Sequence, residues 1–147
     1  MSARVPTATR PIATGALDGV SIPLVVALGA FALVRPVLSI TGLAEAWGKP
    51  ATPLVATALI TALWVAVVVA TRQARPVVTL VGAGLTYAVL ATLMSAILSP
   101  ILDGELRGPL AFPPALIGVL WVNAMWGAVA GIIASTLTHR SRYTVTR

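Results

Sequence analysis

Apolar residues run through this chain in four long stretches, and polar residues gather between them and at the two ends. Each stretch is long enough for the roughly 20 residues that a helix needs to cross a bilayer. The pattern predicts helices at about 19–43, 52–71, 77–99 and 112–137. The intervening segments WGKPATP (47–53), TRQARP (71–76) and SPILDGELRGP (99–109) carry the prolines, glycines and charges that interrupt helices. The connection between the second and third helices is very short and turns the chain back on itself. The expected fold is therefore all-α: an integral membrane four-helix bundle, up-down and antiparallel. The expected organisation is a polar N-terminal tail (1–18), a four-helix domain (19–137) and a basic C-terminal tail (138–147). Asp18 is placed to cap the first helix, with Pro23 tolerated in its first turns.

Composition strengthens this picture. Of 147 residues 58% are hydrophobic and 10% charged, whereas a soluble domain is nearer half and a quarter. Mean hydropathy is +0.96. A net charge of +6 would suggest nucleic acid if the basic residues formed a patch, but they stand at the edges of the apolar stretches. Seven arginines (Arg4, Arg10, Arg72, Arg75, Arg140, Arg142 and Arg147) fall at one end of the threaded chain, against Lys49 and Arg107 at the other. By the positive-inside bias, both termini are expected in the cytoplasm of a cell-membrane protein, with anionic lipid favoured at that face. The Arg-rich, Lys-poor composition suggests a prokaryote with a GC-rich genome. Ala44-Glu45-Ala46 mimics a signal-peptide cleavage site, but the apolar stretch before it is too long for a signal, so the first helix is expected to be retained. Cysteine is absent, so disulfides and thiolate chemistry are excluded.

Lipid tails are as apolar as leucine, so membrane helices associate where small side chains let their backbones approach. Three rows at four-residue spacing answer this description: Ala58, Ala62, Ala66 and Ala70; Gly84, Ala88, Thr92 and Ala96; and Asn123, Gly127, Gly131 and Ser135. The expected packing positions are Gly127, Gly131, Gly84, Ala88, Ala62 and Ala66. Trp64, Trp121 and Trp126 are expected to pack or to face lipid.

The chemically unusual stretch is FALVRPVLSITG (31–42). A charge near the bilayer midplane costs about 2.5–3.5 kcal/mol on insertion scales. Arg35 lies roughly 7 Å to the outer side of its helix centre, close enough to reach the headgroups. Pro36 behind it removes a backbone donor and is expected to kink the helix, freeing a carbonyl near residue 32. The same depth holds Asn123, Thr92, Ser95, Ser39 and Tyr87, a candidate intramembrane polar site centred on Arg35. The plainer account has Arg35 stretching to the outer headgroups or pairing with Glu45, Asp103 or Glu105.

No catalytic constellation is evident, and an enzyme is not expected. His139 has no metal-spaced partner, and Asp103-x-Glu105 alone does not define a calcium site, so neither a metal nor a cofactor is expected. Phosphate-loop and dinucleotide fingerprints are missing. The expected role is that of a small membrane protein working through helix packing, as a homo-oligomer or accessory subunit beside another membrane protein. The alternative is a small-solute or anion transporter or channel using Arg35.

Overall fold

The computed structural model describes residues 18–42 and 51–144, without the side chains of 140–144. The chain forms α1 (Ile22–Phe31), α2 (Val34–Ile40), α3 (Ala51–Ala70), α4 (Pro76–Asp103) and α5 (Pro113–Thr144). Four crossings, α1 with α2 as one and then α3, α4 and α5, are long and apolar enough to span a membrane. The protein is an all-helical, multi-pass membrane bundle.

Helix ends depart from the sequence expectation for identifiable reasons. Ser21, not Asp18, occupies the N-cap position of α1, with Pro23 in its first turn. The third crossing runs past the Ser99-Pro100 pair, because a proline removes only its own N–H and the next turn can still form. It stops at Gly104, which adopts a left-handed φ of 77° and donates its N–H to the Pro100 carbonyl at 3.1 Å. The last helix continues through residues 138–144, since nothing in THRSRYT breaks it. Arg4, Arg10, Glu45, Trp47, Lys49 and the Ala44–Ala46 segment lie outside the described residues, as do the side chains of Arg140, Arg142, Tyr143 and Arg147.

The first crossing is interrupted at Ala32–Leu33. Pro36 cannot supply the N–H that the Ala32 carbonyl would accept in a regular helix. That carbonyl takes the Arg35 N–H instead, at 3.1 Å and three residues away, while Leu33 N–H closes a similar tight turn on Ala30. The break also affects the Leu28 carbonyl. Its bond from Ala32 N–H is stretched to 3.3 Å, and the buried Trp64 indole donates to it at 3.0 Å. A side chain of α3 thus satisfies the backbone of α1 where its own ladder weakens.

The closest packing lies between α4 and α5. A carbon added to Gly84 would collide with the Asn123 carbonyl, one on Gly127 with the Leu80 carbonyl, and one on Gly131 with Val77. Residue numbers rise along one helix as they fall along the other, so this glycine seam is antiparallel. Ala88, on the Gly84 face, is fully buried. On its other side α4 meets α1: Gly29 stands against Thr86 and the Ala83 carbonyl, and Gly82 against Val25. These two helices are parallel. The chain-adjacent pair α3 and α4 is not the main contact, because α3 packs chiefly along α5.

The alanine row of α3 does not join the interior. Ala58, Ala62, Ala66 and Ala70 are all exposed, so the expected packing positions Ala62 and Ala66 are not covered by another described helix of this chain. The buried residues of α3 are Trp64, Val65 and Val68. Trp64 and Ala62 are two residues apart, hence roughly 200° apart around a helix, and the inward side went to the residue with more surface to bury and an N–H to satisfy.

Candidate intramembrane polar site

The proposed layer resolves into two cavities that meet at Arg35. One, of about 440 Å³, opens toward the 104–112 connection and is lined by Arg35, Ser39, Thr52, Ser95, Ser99, Asp103 and Arg107 among others. The second, of about 420 Å³, lies deeper; its lining includes Arg35, Thr57, Trp64, Tyr87, Thr92, Asn123 and Trp126. Arg35 and Ala91 are common to both. The five other sequence-predicted polar residues therefore each border a cavity that Arg35 also borders. They do so in two groups: Ser39 and Ser95 toward the end, and Tyr87, Thr92 and Asn123 toward the middle.

Their hydrogen bonds divide them further. Ser95 and Ser99 hold the 104–112 connection: both hydroxyls donate to the Arg107 carbonyl at 3.3 Å, and Arg107 N–H donates to Ser99 Oγ at 3.0 Å. Gly108 then fits tightly against Ser95, and Pro109 reaches the deeper cavity. Arg107 itself pairs with Glu105 at 2.6 Å, an exposed contact of little energetic weight. Asn123 turns its amide back to the Val119 carbonyl of its own helix at 2.8 Å, and Ser135 does the same with Gly131.

Arg35 is exposed to these cavities, and no described residue accepts a hydrogen bond from its guanidinium or forms an ion pair with it. Asp103 lines the outer cavity without pairing to it. Thr92 is the second unsatisfied group. Its residue is 94% buried, being 6% exposed, and its hydroxyl is the one buried side-chain oxygen or nitrogen without a partner among the described residues. Other threonines in these helices behave differently: Thr57, Thr61, Thr71, Thr79 and Thr138 each donate to the carbonyl four residues back, at 2.7–3.0 Å.

Several contributors lay outside the sequence reading. Thr57 and Thr61 line the deeper cavity, and Thr61 accepts the Trp126 indole N–H at 2.9 Å. Trp64 forms its wall while bonded to Leu28. A signal existed for both tryptophans: an indole N–H placed deep in a bilayer needs an acceptor. Ser99 gave a weaker one, as a hydroxyl facing a short polar connection. Trp121 is 67% exposed and faces away from the bundle. His139 is exposed near the helix end. Among the described residues, no three His, Asp or Glu side chains lie close enough together to hold a metal ion.

Compared with known proteins, the chain matches no family model, no curated protein and no solved structure.

Proposed function

We propose that the protein is a non-enzymatic small-solute or anion transporter or channel of the cell membrane, with Arg35 as its charged site. The observation that carries this reading is a guanidinium, unpaired among the described residues, where two cavities meet within a crossing long and apolar enough to span the bilayer. An ionisable side chain within an apolar crossing is costly unless it is hydrated or paired, which makes such a position a default candidate for a substrate or ion site. The proposed orientation has both termini in the cytoplasm. Gly19 lies beside Ala74, so the start of α1 shares one end of the bundle with Arg72, Arg75 and the end of α5. Anionic lipid is favoured there by about 1 kcal/mol per arginine near the surface.

The test is flux of acetate, benzoate and nitrate in proteoliposomes. For at least one of them, Arg35→Ala is expected to reduce flux at least tenfold, with Arg35→Lys retaining part of it. Equal flux through native protein and both variants would remove Arg35 from the pathway.

A second reading, assembly into a homo-oligomer or with another membrane protein, rests on the uncovered alanine row. It borders an apolar groove of about 770 Å³ between α3 and α5, closed on the other side by Trp126, Val129, Ile133 and Leu137. Small residues on an exposed membrane helix let a second helix approach closely. Because the chain has no cysteine, Ala62→Cys provides a clean crosslinking site. In native membranes this variant is expected to form a disulfide dimer several times faster than Val89→Cys, on the exposed side of α4. Equal rates would mean that the groove faces only lipid.

A further inference from the structure

The deeper cavity carries information about the ligand itself. Arg35 is its one charged lining residue. Around it, several donors are already engaged: Trp64 N–H by Leu28, Trp126 N–H by Thr61, and one N–H of the Asn123 amide by Val119. The tryptophans and Asn123 therefore contribute mainly apolar surface and backbone-fixed amide, together with Ile60, Val119 and Val122. The donors left over are the guanidinium, the second N–H of Asn123, the Tyr87 hydroxyl, which donates to no described group, and the Thr92 hydroxyl.

Thr92 adds a positive indication. Threonine in a helix has two accessible χ1 rotamers, and rotation exchanges its methyl for its hydroxyl. An acceptor in the cavity would give Thr92 Oγ1 the partner that it lacks, which a dry apolar occupant cannot do. An unsatisfied buried hydroxyl costs about 1–3 kcal/mol, so its satisfaction contributes to binding. A volume of about 420 Å³ lies within the range of small-molecule sites, which are mostly apolar with a few fixed polar groups.

Resting on the anion reading above, we infer that this cavity binds a singly charged oxyanion with an apolar body, its head on Arg35 and Thr92 and its body against Trp64 and Trp126. One fixed cation matches one charge; a second negative charge would be left desolvated and unpaired. A carboxylate or phosphate oxygen pair suits the guanidinium fork. An inorganic anion would leave the apolar walls unused. The head and body could belong to a soluble organic acid or to a membrane lipid, which share this chemistry.

The full chain in phosphatidylcholine nanodiscs, titrated with benzoate and read by tryptophan fluorescence, tests the inference. A saturable change is expected with benzoate and none with its neutral counterpart, benzyl alcohol, at the same concentrations. Affinity should fall about tenfold or more in Arg35→Gln, the loss of a charge-assisted bond, and about three- to tenfold in Thr92→Val. Arg35→Lys, which keeps the charge but loses the fork, should be intermediate and guards against misfolding of the glutamine variant. Adding phosphatidylglycerol distinguishes the sources: competition with benzoate makes a lipid headgroup the occupant, and unchanged affinity makes it a soluble acid. Either result supports the class. Nitrate binding as tightly as benzoate would overturn the amphipathic ligand while leaving the anion reading intact. Benzyl alcohol binding equally well, or affinity unchanged in every Arg35 variant, would overturn both.

Discussion

Replacing Gly127 by leucine is expected to unfold the bundle at lower temperature or lower denaturant than the native chain, by about 3 kcal/mol, the upper part of the usual overpacking range. The reason is local. The first added carbon would already collide with the Leu80 carbonyl and crowd Val81, and both are backbone positions that cannot rotate away. To admit it, α4 and α5 must separate along the seam that also holds Gly84 against Asn123 and Gly131 against Val77. Gly118→Leu is the control. It lies on the same helix with open space where its side chain would go, so its midpoint should match the native one. Circular dichroism in detergent during denaturant titration checks both. Coincident midpoints for Gly127→Leu and Gly118→Leu would show that the seam is not where stability is concentrated.

Trp64 is the other position where a single change should be costly. Only 3% exposed, it fills space between α3 and the first crossing while its indole N–H serves the Leu28 carbonyl. Trp64→Ala is expected to cost about 3–5 kcal/mol through the cavity that it leaves. Trp64→Phe separates the two contributions. It keeps most of the apolar contact and leaves Leu28 with the stretched bond from Ala32, for an expected loss of about 1 kcal/mol. The same unfolding measurement decides: a phenylalanine variant as unstable as the alanine one would mean that the hydrogen bond, not packing, dominates.

Architecture was legible in the sequence because bilayer physics leaves few choices. A run of twenty apolar residues must be a helix when no water can satisfy its backbone, and the four crossings follow at nearly the expected places. The Gly127 and Gly131 row was legible for a related reason, since glycine pairs make helix approach possible. What sequence spacing could not show is which way a row faces. The alanines of α3 have the same period as the glycines of α5, yet Trp64 claims the inward side and turns Ala62 and Ala66 outward. Depth grouped Arg35 with Tyr87, Thr92 and Asn123, and all four line one cavity. Depth could not reveal that Ser95 spends its hydroxyl on the 104–112 connection or that Asn123 folds back on its own turn, because both depend on acceptors fixed by the backbone.

The interruption at Ala32–Leu33 divides the first crossing into unequal partners. α1 is wedged into α4 at Gly29 and stapled by Trp64, whereas α2 has no buried residue at all. The guanidinium rides on the loosely held half. Pivoting of α2 about that joint would widen or narrow both chambers at once without disturbing a single glycine of the α4–α5 contact, so mobility at the charge and rigidity of the scaffold are compatible in the same short polypeptide.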